Sequence, residues 1–122
     1  MLPVETTPAF VTAFDADTLV PQDTVVSDPA LVDKPYRARS WRHFENAEKR
    51  ALAGIWAAEP HLERCDCNYD ELCHILEGRV RLTDADGTAR VFGPGDSFVV
   101  AAGFKGTWEN LTPVRKVFFI LS

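Results

Sequence analysis

The chain has 122 residues, a net charge of −5, 46% hydrophobic and 25% charged residues, which fits one globular domain and argues against both a two-domain cofactor enzyme and a wholly disordered chain. At 13.6 kDa, about two-thirds of the unfolded surface can be buried, enough for a core without staples. The acidic balance leaves no uncompensated positive face for nucleic acid, and the longest apolar run near the C-terminus, Val117–Leu121, is far short of the ~20 residues that cross a bilayer.

Residues 1–39 read as an extended, acidic, proline-rich arm, with residues 40–122 as the domain proper. The arm carries Glu5, Asp15, Asp17, Asp23, Asp28 and Asp33 before its first Lys or Arg, has prolines at 3, 8, 21, 29 and 35, and shows no sustained period of 2 or 3.6. Phe10, Phe14, Leu19 and Val25–Val26 are apolar enough to pack on a core or a second subunit. The opening Met1–Pro8 lacks the charged and apolar regions of a secretory leader, so the expected address is cytoplasmic. The nearest approach to a basic cluster, Lys34, Arg37, Arg39 and Arg42, follows the acidic arm, which can neutralise it.

From Trp41 onward, short runs rich in β-branched and aromatic residues are cut by Gly, Pro and Asp about every ten residues, the spacing of a β-sandwich or barrel. The expected strands are Leu52–Ala57, Glu63–Cys67, Glu71–Glu77, Arg79–Asp84, Ala89–Phe92, Ser97–Val100, Gly106–Asn110 and Arg115–Leu121. Asp84-Ala85-Asp86-Gly87-Thr88 predicts a hairpin loop, since Asp-Gly supplies the positive φ of a tight turn. Glu45–Ala53 alone has helix-compatible composition, and its poor apolar spacing predicts a polar turn or a short helical turn.

Cys65-Asp66-Cys67-Asn68-Tyr69-Asp70-Glu71 and the following residues to Gly78 resemble the first cupin motif: His-x-His, three or four residues, Glu, six residues, Gly. Glu71 falls on the glutamate ligand, Gly78 on the closing glycine, and Cys65 and Cys67 on the two histidines. Downstream, Gly95, Gly103 and Asn110 match the second motif, while Ala101 replaces its proline and Gly106 its final histidine. Over about residues 40–122 the chain resembles an RmlC-like cupin of the small, single-domain branch related to (S)-ureidoglycine aminohydrolases. The resemblance implies an all-β, single-domain cupin jelly-roll barrel with an extended N-terminal arm, a ligand-binding mouth and a homodimer. The aminohydrolases it resembles usually carry two cupin domains and the histidines missing here.

Two readings of the chemistry follow. In the first, the protein binds a small polar metabolite in the barrel without the usual histidine-based metal site. In the second, it is a metal-dependent enzyme on a small nitrogenous metabolite. Residues two apart share a strand face, so Cys65 and Cys67 point together, as do Glu71, Cys73 and Ile75, with His74 opposite. Same-face side chains about 6.6 Å apart do not reach disulfide spacing without buckling, so free thiols are expected. Cys65, Cys67 and Glu71 form the candidate metal site, and zinc is the metal that thiolates would favour. Without a metal, Glu71 is the candidate general acid or base. Trp56, Tyr69, Cys73, Phe98, Lys105 and Trp108 are the candidate pocket residues, and His43 and His61 are given no catalytic role. A third reading, a purely structural protein with a filled barrel, stays open.

Overall fold

The computed structural model describes residues 10–15 and 19–122. Met1–Ala9 and residues 16–18 lie outside them, and with them the reading of the leader and part of the acidic arm. Ten strands appear: β1 (Gln22–Val26), β2 (Tyr36–Asn46), β3 (Ala51–Ala58), β4 (His61–Asp66), β5 (Asp70–Glu77), β6 (Val80–Asp84), β7 (Ala89–Phe92), β8 (Ser97–Val100), β9 (Lys105–Asn110) and β10 (Val114–Leu121). No helix occurs among the described residues, so none is long and apolar enough to cross a membrane. A six-stranded sheet in the order β1-β2-β3-β10-β5-β8 faces a four-stranded sheet in the order β4-β9-β6-β7.

All eight expected strands are present, most with ends moved by one or two residues. The arm differs from expectation. β1 pairs with β2, bringing Asp23 opposite Arg39, and the two side chains form an exposed ion pair at 2.9 Å. β2 also runs across the 39/40 boundary drawn from the sequence. Its first residues alternate, with Tyr36 and Ala38 buried and Arg37 and Arg39 facing out, while Trp41, on the parity of the outward arginines, is buried beneath Arg115. The helix-compatible stretch is divided between two strands. Glu45 and Asn46 end β2, Ala51–Ala53 begin β3, and the intervening turn is closed by Arg50 N–H donating to the Ala47 carbonyl at 3.2 Å. Burial of Ala51 and Ala53 across the strand pair outweighs the helical preference of alanine.

The Asp84–Thr88 hairpin forms as expected, with Gly87 at φ +89 and Asp84 Oδ1 accepting from the N–H groups of Asp86 and Thr88. Between the sheets lies a core of Cys73, Ile75, Val80, Val100, Trp108 and Val114, and Val32, Tyr36, Ala38 and Ala58 make a second cluster. Arg64 fastens the segment before β2 to β4, donating to the carbonyls of Pro29 and Ala30 and pairing with Asp33 at 2.9 Å. Phe10, by contrast, is 95% exposed, while Phe14 stacks on His43 at 4.8 Å.

Candidate functional site

A cavity of about 230 Å³ opens between the two sheets. Period-2 alternation builds its walls. Glu63 and Cys65 face inward on β4, opposite Trp108 and Gly106 of β9, and Ser40, Trp56 and Lys116 share one cross-strand row of the larger sheet. Of the residues singled out from the sequence, Trp56, Cys65, Cys67, Tyr69, Glu71 and Trp108 line this cavity. The stretches around 71 and 108 therefore converge on one hollow.

Three expected pocket residues do not line it. Cys73 has the right parity but is fully buried within the core, and its thiol donates to Glu71 Oε2 at 3.3 Å. Phe98 turns inward to pack on the core, stacking on Phe92 with ring centroids 4.1 Å apart and meeting Trp108 at 5.9 Å. Lys105 belongs to β9 rather than to a loop, in register with Asp66, and alternation with Gly106 turns it to solvent. The ring of Phe104 takes the place at the cavity that Lys105 was assigned.

The group that organises the cavity is Lys116, which the sequence reading passed over. Its Nζ donates to Glu71 Oε2 at 2.6 Å, and both side chains are nearly buried, at 8% and 12% exposure. The ammonium also lies 4.1 Å from the Trp108 ring centre and 4.8 Å from that of Trp56, inside an aromatic corner that favours a cation. Burial works to push this ammonium's pKa down, but the Glu71 carboxylate and neighbouring groups more than offset it and hold the pKa above the usual lysine value. Lys116 is thus a fixed positive charge, not a nucleophilic amine. Period 2 placed it on one face with Phe118 and Ile120, and that alternation was the available signal.

His61 and Arg42 were also missed. The His61 ring stacks on Tyr36, with centroids 3.4 Å apart. Its Nδ1 meets the Glu59 carbonyl at 2.7 Å; a carbonyl only accepts, so Nδ1 carries the proton. Burial lowers the ring's pKa and favours the neutral form, which leaves Nε2 a buried acceptor with no partner among the described residues. Arg42 projects into the cavity from its exposed end and pairs with no carboxylate among the described residues. Glu63, the other carboxylate of the lining, accepts from Tyr36 Oη at 3.1 Å.

The donors present do not fit a divalent metal. No group of three His, Cys, Asp or Glu side chains among the described residues could hold one, and Glu71 is already engaged by an ammonium. Burial pushes the Cys65 thiol up to about 12, with Cys67 and Glu63 adding to it, so a thiolate there is disfavoured. Gly106 cannot be replaced by a ligand, because a Cβ built on it would sit 2.0 Å from the Thr83 carbonyl oxygen.

Residues 45–118, more than half of the chain, match the family model of the EutQ-like cupin domain. The chain belongs to the EutQ-like cupin family. Among solved structures, this cupin is similar to a Pseudomonas syringae protein of unknown function from the DUF861 family, with 27% identity and a TM-score of 0.74 over 84% of this chain and 43% of that one. It therefore spans less than half the length of that relative. A DUF861 protein from Thermotoga maritima is 36% identical over 52% of this chain and 73% of its own, with a TM-score of 0.51. The Clostridium difficile EutQ protein shares the fold, with a TM-score of 0.64 and 18% identity over 94% of this chain and 88% of its own. No curated protein matches this cupin. Its two sheets are those of a single-domain jelly roll.

Proposed function

We propose that this cupin binds a small polar metabolite bearing a carboxylate and an N–H donor, and that it does so without a divalent metal. One observation carries the reading: the cavity holds a neutralised Lys116–Glu71 pair and, at its exposed end, an Arg42 that has no carboxylate partner among the described residues. A guanidinium matches a carboxylate with two parallel hydrogen bonds. His61 Nε2 is the orphaned acceptor of the same wall, and a ligand N–H would satisfy it. At about 230 Å³ the cavity is smaller than the roughly 300–1,000 Å³ of drug-sized sites, which favours a compact molecule. The resemblance to ureidoglycine aminohydrolases agrees with a ureido or amide nitrogen on that ligand. A metal-dependent reaction at Cys65, Cys67 and Glu71 lacks support, since Glu71 is held by Lys116.

N-Carbamoylglycine, which combines a ureido group with a carboxylate, is the probe. Saturable binding should raise the melting temperature, contributing about 2.7 kcal/mol at a hundredfold excess over Kd. Arg42→Ala, at an exposed position, should remove that rise while leaving the unliganded melting point unchanged. Absence of a shift with N-carbamoylglycine, glyoxylate and acetate alike, or a shift indifferent to Arg42→Ala, would refute the reading.

A further inference from the structure

The charged side chains lining the cavity are Arg42, Glu63, Glu71 and Lys116. Lys116 and Glu71 cancel each other at 2.6 Å, so the balance rests on Arg42 and Glu63. Glu63 forms no ion pair among the described residues, and its side chain accepts a single hydrogen bond there, from Tyr36 Oη to Oε1 at 3.1 Å. Burial, together with the carboxylate beside it, pushes the Tyr36 phenol's pKa up. Tyr36 therefore donates a neutral O–H and leaves the negative charge of Glu63 uncompensated. Glu63 Oε2 accepts nothing among the described residues and stays accessible from the cavity. On β4, Glu63 shares its inward parity with His61 two positions earlier, and His61 Nε2 is itself an acceptor awaiting a donor. This stretch thus presents two acceptors, one of them charged. Arg42 comes from β2 in the other sheet. The unpaired cation and the unpaired anion are therefore contributed by different sheets.

A ligand that fills the cavity expels water from both charges. A plain carboxylate would neutralise Arg42 and strand Glu63 without water or a counter-charge, and a desolvated, unpaired charge is costly. A ligand carrying both signs meets both residues. Resting on the binding reading given above, we infer that the ligand is a zwitterion that joins a carboxylate to a planar guanidinium or amidinium. Arg42 takes the carboxylate, while Glu63 Oε2 and His61 Nε2 accept N–H groups of the cation. A planar cation suits this pair of acceptors better than a primary ammonium, because its N–H groups point in fixed and separate directions. A neutral ureido group would turn its carbonyl oxygen, a third acceptor, towards the same two. The metabolite class is thus narrowed from any N–H donor to a cationic one.

Guanidinoacetate and N-carbamoylglycine test the inference, since they share one skeleton and differ only in whether the terminal group is a cationic C–NH2 or a neutral C=O. Titration calorimetry of the full chain near neutral pH should show guanidinoacetate binding roughly tenfold tighter, the margin between charge-assisted and neutral hydrogen bonds. Glu63→Gln, which keeps an acceptor for Tyr36, should bring the two Kd values together. Equal or tighter binding of N-carbamoylglycine to the wild type, or a preference for guanidinoacetate that survives Glu63→Gln, would overturn the inference and leave the binding reading standing. Failure of both molecules to bind would overturn the inference, and the binding reading falls with it only where glyoxylate and acetate fail as well. The wild-type comparison needs no variant, so it decides the matter where Glu63→Gln does not fold.

Discussion

Replacing Lys116 by methionine keeps most of the side chain's length and apolar stem and removes only its charge. The ammonium it deletes lies 2.6 Å from Glu71 Oε2, and the two side chains are 8% and 12% exposed, so little solvent screens their attraction. Removing one member of a buried pair strands the other, at a cost of about 3–5 kcal/mol, whereas replacing both by apolar groups is often neutral. The aromatic contacts with Trp56 and Trp108 would be retained as packing but lose their cationic component. Against a typical stability of about 5–15 kcal/mol this is a large loss. With an m-value of about 1.5 kcal/mol/M, the urea midpoint should fall by roughly 2–3 M. Lys116→Met/Glu71→Leu should recover most of it, ending within about 1 kcal/mol of wild type. A single variant that costs less than about 1 kcal/mol, or a double variant less stable than the single, would show that the pair is not buried as described.

Two more predictions concern stability. Burial pushes the thiols of Cys73 and Cys65 up to about 12, whereas an unfolded thiol ionises near about 8.5. The folded state thus binds more protons between those values. This contribution is complete below about pH 8 and fades as pH rises towards 12, by at most about 1.4 kcal/mol per pH unit for each buried thiol and less for the partly exposed Cys65. Lys116, also held upward, acts in the same direction, so the urea midpoint should drop between pH 8 and pH 10.5; a flat profile would contradict the burial of these groups. Gly106→Ala should cost about 1–3 kcal/mol by overpacking, because its new methyl would meet the Thr83 carbonyl at 2.0 Å; an equally stable variant on thermal melting would refute that close approach.

Much of the barrel was legible because its strands obey a simple alternation. Cys65, Cys67, Glu71 and Trp108 were assigned to one hollow from spacing and family resemblance, and all four line it. β1 escaped because edge strands need no buried side: four of its five residues are exposed, leaving no period to read. β2 escaped because its outward arginines drew notice as a charge cluster, although their spacing of two was itself a strand signal. Lys116 was harder. A lysine in a strand ordinarily faces water, and its partner Glu71 lies 45 positions away. Seeing the pair required the register of β10 against β5, including the irregularity between Arg115 and Lys116. Cys73 and Phe98 show the converse limit, since parity assigns a face but not which inward side chains reach the opening and which lie deep in the packing.

The cation at the heart of this barrel is tethered to the backbone. Unlike a bound ion, it cannot be stripped by a chelator, exchanged for a competitor or lost when the supply of metal runs low. Its position is set by the length of one side chain and the strand that carries it, so the polarity of the chamber is inherited with the gene and does not have to be loaded after synthesis.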